Sequence, residues 1–135
     1  MNPVRILIAD DHREFRRVVI DYLCSLPHVI VVGEADDGVD VIEKTERLDP
    51  DFVLMDITMP RRNGLEATKI IKTRWPRKKV VIATMHESPL YRTQAEEAHA
   101  DGFLLKSSLR AGLLAVLGQG NGSRVYARPV ESVGK

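Results

Sequence analysis

Five short apolar runs alternate with five stretches of helical pattern, and this alternation restricts the possible folds more than any single motif. The runs are Val4–Ala9 (VRILIA), Val29–Ala35 (VIVVGEA), Phe52–Asp56 (FVLMD), Lys79–Thr84 (KVVIAT) and Gly102–Leu105 (GFLL). Near-continuous Val, Ile and Leu, without strict alternation, describes strands covered on both faces. Helices are predicted over 12–26, 39–48, 65–75, 89–100 and 109–117. The first has Phe15, Val18, Val19, Tyr22, Leu23 and Leu26 at the three-and-four spacing of an amphipathic helix, with Cys24 read as a packing residue on its apolar side. Asp36-Asp37-Gly38 is a turn that caps the second helix, which points Val39, Ile42 and Leu48 inward. The third helix offers Leu65, Ala67, Thr68, Ile71 and Trp75. The fourth is weakly amphipathic. The fifth carries Leu109, Leu113, Val116 and Leu117 on one side. Pro27 and Pro76 stop the first and third. Strict β–α alternation implies a parallel sheet with right-handed crossovers and helices on both faces.

Length and charge narrow the function. A chain of 135 residues has the length of one domain and buries a proper core. Twenty basic and 19 acidic residues leave a net charge of +1, which argues against a surface built mainly for nucleic acid. A single cysteine, Cys24, rules out an intrachain disulfide and suits a reducing compartment. No apolar run approaches the roughly 20 residues needed to span a bilayer, and the N-terminus has no signal-peptide pattern, so a cytoplasmic location is expected.

Ligands of such sheets bind beyond the carboxyl ends of the strands. Those ends carry Asp10-Asp11, Asp56, Thr84 and Lys106. Close carboxylates repel, and a cluster of oxygen ligands with room for water and phosphate suits Mg²⁺. Each residue also has a plainer reading. Asp10-Asp11 would cap the helix that follows, Asp56 would be a turn residue before Pro60, Thr84 is a good strand former, and a lysine at a strand end is usually solvated. Their coincidence at one sheet edge favours chemistry: phosphoryl transfer onto Asp56, with a cation on the acids and with Lys106 and Thr84 on the phosphoryl oxygens. His12 and His86 read as rim residues beside an oxygen-ligand site. The basic runs Arg61-Arg62 and Arg77-Lys78-Lys79 read as solvated loops.

The stretches ILIADDH, VLMDITMPRRNG, ATMHE and ADGFLLKSS together resemble the receiver domain of bacterial two-component response regulators, over Val4 to about Gly118. MHE after Thr84 and GFLLKS are most similar to the NarL/FixJ (LuxR-type) subfamily. The resemblance implies a flavodoxin-like (βα)5 doubly wound sheet of five parallel strands in the order 2-1-3-4-5. It implies a receiver over 1–118 and a linker over 119–135. It makes Asp56 the phosphoacceptor of a sensor histidine kinase and a phosphoprotein switch rather than an enzyme. Mg²⁺ (or Mn²⁺) would be held by Asp10, Asp11, Asp56 and the backbone carbonyl of Thr58. Thr84 and Lys106 would sense the phosphoryl group. Phe103 stands where the family often has a tyrosine, so switching would rely on burial of the ring without a hydroxyl. Thr58 and His86, two residues after Asp56 and Thr84, occupy positions that tune phosphoryl lifetime. Phosphorylation would draw Thr84 inward, make space for Phe103 and reshape the face of the fourth helix, fifth strand and fifth helix, with homodimerisation one outcome.

The tail GNGSRVYARPV resembles the subfamily's linker into a helix-turn-helix DNA-binding output domain, which is expected to lie outside these 135 residues, unless the chain is a single-domain regulator. Rival functions fit less well. A haloacid-dehalogenase-type phosphatase needs a second acid two residues after the nucleophile, where this chain has Thr58. A flavodoxin needs a hydroxyl- and glycine-rich loop where it has Asp10-Asp11-His12. A receiver-like interaction module without phosphorylation would not need the full set of five residues.

Overall fold

Each apolar run forms a strand, and the strands associate in parallel. The computed structural model describes residues 3–118. Its elements are β1 (Val4–Ala9), α1 (Arg13–Cys24), β2 (Val29–Ala35), α2 (Gly38–Leu48), β3 (Phe52–Asp56), α3 (Gly64–Arg74), β4 (Lys79–Thr84), α4 (Pro89–Glu97), β5 (Gly102–Leu105) and α5 (Leu109–Gly118), with a 3-10 turn at Lys106–Ser108. The sheet order is β2-β1-β3-β4-β5, every pairing parallel. This is the doubly wound, flavodoxin-like architecture the alternation and the resemblance anticipate.

The two faces of the sheet build two core layers. Leu7 and Ala9 of β1, Val53 and Met55 of β3, Val80 and Ile82 of β4, and Phe103 of β5 pack with Val41, Ala67, Ile71 and Ala95 from α2, α3 and α4. Ile6, Ile8, Phe52, Leu54, Val81, Ala83 and Leu104 face the other way, onto Val19 and Leu23 of α1 and Leu109, Leu113 and Val116 of α5. Successive strand residues point to opposite faces, so covering both faces requires the unbroken apolar runs read in the sequence. Each fully buried Leu, Ile or Val contributes roughly 1.5–3 kcal/mol.

The helices differ from expectation in rotation and length. On α1, Val18 is 59% exposed, and Ile20 packs on the core in its place. On α2, Val41 and Thr45 are buried, while Val39 is only half-buried. Spacing fixes the width of an apolar stripe; the sheet beneath decides how the helix is turned about its axis. Cys24, expected to pack, is exposed. α1 ends at Cys24 instead of reaching 26, because the residue before Pro27 is disfavoured in helix. α4 ends at Glu97 instead of 100. His99 takes a left-handed φ of 67° and the Ala100 N–H bonds back to the Ala95 carbonyl at 3.0 Å. The basic loops are not simply solvated: Arg61 pairs with Asp37 at 2.9 Å, and Lys78 pairs with Asp49 and bonds the Pro50 carbonyl at 2.8 Å. The expected linker over 119–135 lies outside the described residues.

Candidate functional site

Strand register brings the polar residues together. Ala9 lies opposite Met55, Asp56 opposite Ala83 and Thr84 opposite Leu105. One step further along β1 and β5 come Asp10 and Lys106. Asp10, Asp56 and Thr84 are all buried, at the sheet edge where ligands of this architecture bind.

Asp10 does not cap α1. The helix starts from His12, and no side chain accepts a bond at its cap. One oxygen of Asp10 accepts the His12 backbone N–H at 2.9 Å, which tightens the turn out of β1. The other accepts from Lys106 Nζ at 2.6 Å. Asp11 is exposed, and its carboxylate lies 3.1 Å from His12 Nδ1, which is also 3.1 Å from Asp10. His12 is thus at the rim, as expected of it.

Asp56 is not a turn residue either. The loop after β3 closes without its side chain: the Gly64 N–H bonds the Ile57 carbonyl at 2.7 Å, and Asn63 caps α3 through the Glu66 N–H at 2.9 Å. Two glycines let that loop pack closely. A Cβ on Gly64 would lie 1.8 Å from the Asp56 carbonyl oxygen, and one on Gly38 equally close to that of Arg62. The free Asp56 carboxylate approaches Lys106 Nζ at 3.3 Å through Oδ1. Oδ2 is buried and has no hydrogen-bond partner. Burial, with like charge from Asp10, pushes the carboxyl up to about 6 against the opposing pull of Lys106; Asp11 adds to the rise.

Lys106 is not a solvated strand-end lysine. Its side chain is only 4% exposed, salt-bridged to Asp10 and Asp56, and its Nζ stands 4.2 Å from the centre of the Phe15 ring. Thr84 closes the site on the β4 side, its hydroxyl oxygen accepting the His86 N–H at 3.4 Å. Thr58 and His86 are exposed beside it. Phe103 is fully buried in this structure, with the Arg92 guanidinium 4.7 Å from its ring centre and that guanidinium also paired to Glu87. The ring is thus enclosed in this structure, between the core and Arg92.

Asp10, Asp11, His12 and Asp56 each offer a ligand atom, all within 4.8 Å of one another. An unsatisfied buried carboxylate oxygen inside a cluster of acids fits an oxygen-seeking divalent cation. Two neighbours escaped the sequence reading. The sequence places Phe15 only in helix packing, and no sequence pattern marks an aromatic ring as an ammonium's neighbour. Arg16 donates to the Asp10 carbonyl and pairs with Glu34 at 2.7 Å, tying β2 to the acidic turn. A cavity of about 550 Å³ beside α1 is lined by as many acids as bases, with Arg16 and Lys44 already paired to Glu34 and Asp40.

Residues 6–117 match the family model described as the response regulator receiver domain. The chain is 40% identical over 105 residues to the transcriptional regulatory protein DegU of Brevibacillus brevis, covering 78% of this chain and 44% of that protein. It is 42% identical over 116 residues to a protein-glutamate methylesterase/protein-glutamine glutaminase of Myxococcus xanthus, covering 86% of this chain and 30% of that protein. It therefore spans less than half the length of either relative. The structure superposes on the signal receiver domain of the response regulator NarL of Mycobacterium tuberculosis with a TM-score of 0.82 at 33% identity, covering 88% of this chain and 96% of that one.

Proposed function

The chain belongs to the response regulator receiver domain family of two-component systems, NarL/FixJ type, and on that premise we propose that Asp56 is its phosphoacceptor. The observation that carries the proposal is the buried Asp56 carboxylate with an unpartnered oxygen, flanked by two further acids and a buried lysine. At pH 7 a carboxyl titrating at about 6 is mostly ionised and needs no general base. Its oxygen attacks the phosphorus of a phosphohistidine on a sensor histidine kinase. An O–P bond forms, the P–N bond breaks, and the histidine leaves with the electron pair.

Asp10, Asp11 and Asp56, with the Thr58 carbonyl, would hold Mg²⁺ (or Mn²⁺), which when bound supplies neutralising charge for the phosphoryl oxygens. Lys106, already between Asp10 and Asp56, passes to a phosphoryl oxygen. The Thr84 hydroxyl donates to another. Thr58 and His86 stand exposed beside the site and govern how readily water reaches the acyl phosphate. Thr84 and Phe103 relay the new charge, about −1.5 to −2, to the face formed by α4, β5 and α5. The domain regulates; the enzymatic activity named for the Myxococcus relative belongs to the part this chain does not match. The output is transcription, through a DNA-binding domain beyond the receiver, with residues 119–135 as the linker. Phosphorylation promotes homodimerisation. No helix among the described residues is long and apolar enough to cross a membrane, and the protein acts in the cytoplasm.

Acetyl phosphate with Mg²⁺ tests this. A hydroxylamine-labile adduct of one phosphoryl mass, absent from Asp56→Asn, is the expected result. No adduct in the wild type over a full range of Mg²⁺ concentrations overturns the reading and leaves a phosphorylation-independent interaction module.

A further inference from the structure

We propose that Phe15 is a positioning residue for Lys106: its ring face takes the third contact of an ammonium already held by two carboxylates, and so fixes where that ammonium stands beside Asp56. The inference rests on the phosphoacceptor reading of Asp56 and adds a residue that reading does not use.

An ammonium has three N–H donors. Lys106 directs contacts to Asp10 at 2.6 Å and to Asp56 at 3.3 Å. The remaining contact of Nζ is the Phe15 ring, its centre 4.2 Å away. With its side chain 4% exposed, Lys106 has little water to satisfy that side, and the π-face of a ring attracts a desolvated cation more strongly than an exposed one. An aliphatic residue of similar bulk would fill the space and leave the ammonium drawn wholly to the acids, chiefly to Asp10, the closer one. The ring opposes that pull. Phe15 lies in the first turn and a half of α1, and Lys106 follows β5. The contact therefore joins the helix that follows the acids to the 3-10 turn that carries the lysine at the end of β5.

The test replaces Phe15 by phenylalanines bearing one, two and three ring fluorines. These keep the shape and progressively drain the negative face of the ring. Phe15→Leu and Phe15→Tyr complete the series. Two quantities are read: the rate of phosphorylation by acetyl phosphate at saturating Mg²⁺, and the affinity for Mg²⁺. The expected result is a rate that falls stepwise with fluorination, by roughly two- to tenfold overall, is reduced to a similar extent in Phe15→Leu and is retained in Phe15→Tyr, with Mg²⁺ affinity little changed. The ε-methylene proton signals of Lys106 should be shifted upfield by the ring in the wild type and lose that shift in Phe15→Leu, a readout that needs no phosphorylation. A rate that is flat across the fluorinated series overturns the proposal and leaves Phe15 as packing. Failure of the wild type itself to accept a phosphoryl group overturns the phosphoacceptor reading; in that case the Lys106 signal alone decides whether the ring contact exists.

Discussion

Asp56 stands between opposing forces. Removal from water and the nearby Asp10 favour its neutral form, and Lys106 favours the carboxylate. Its folded pKa of about 6 lies above the ordinary carboxyl value of 3.8, so the folded protein binds this proton more tightly than the unfolded chain does. The group costs no stability below about pH 4, costs progressively more as pH rises to about 6, and imposes its full cost above that. In metal-free buffer at pH 7 that cost is about 2–3 kcal/mol. Asp56→Asn should therefore be the more stable protein at pH 7, with the difference shrinking towards zero near pH 4. Urea unfolding of both proteins at the two pH values checks this; an Asn variant equal to or weaker than wild type at pH 7 would contradict the strain assigned to this carboxyl. Sequence picked out Asp56 because a buried run ended on an acid. It did not show that one oxygen would be left without a partner, since that depends on what the β3–α3 loop, Asp10 and Lys106 do around it.

At the scale of elements, α2 shows how local chemistry and tertiary contact combine. Asp37 accepts the N–H groups of Val39 and Asp40 at 2.9 and 2.7 Å and also pairs with Arg61 in the loop after β3. The cap was legible in Asp36-Asp37-Gly38; the partner on another loop was not. Asp37→Ala should cost about 1 kcal/mol through the lost cap, with little more from the exposed ion pair. A lowered urea midpoint at unchanged slope is the expected outcome, and an unchanged midpoint would mean that the cap contributes nothing. α4 behaves differently. Ala95 is its one buried residue, and Leu90 near its start is 62% exposed. Its weak amphipathicity was visible in the sequence, and its early end follows from the left-handed His99. An element this lightly anchored is the one most easily moved by an event at Thr84 and Phe103.

For the whole molecule, cation binding and folding are one linked equilibrium. The acids converge only in the folded sheet, so an ion held there stabilises the folded state. At about a hundredfold excess of free Mg²⁺ over its dissociation constant the gain is about 2.7 kcal/mol, which for a domain of this size is a rise in Tm of roughly 10 °C. Thermal unfolding should show that rise in the wild type, its reversal by a chelator and a much smaller response in Asp11→Asn. Equal responses in the two proteins would remove Asp11 from the cation site.

The β–α alternation, the parallel sheet and the residues on which its strands end are legible in the order of residues, because side-chain periodicity and helix-stopping residues act over a few neighbouring positions. Motifs make the family legible there too, with the five residues at the sheet edge. Only the packing onto the sheet settled that α1 turns Val18 out and brings Ile20 half-buried onto the core, and that α2 buries Val41 ahead of Val39. The same packing turned Cys24 out, enclosed Phe103 and brought Phe15 and Arg16 to the site. Each of these depends on groups brought together from distant positions, as Lys106 and Asp10 are across 96 residues. Burial and unsatisfied valence belong to such assembled neighbourhoods, and no local pattern encodes them.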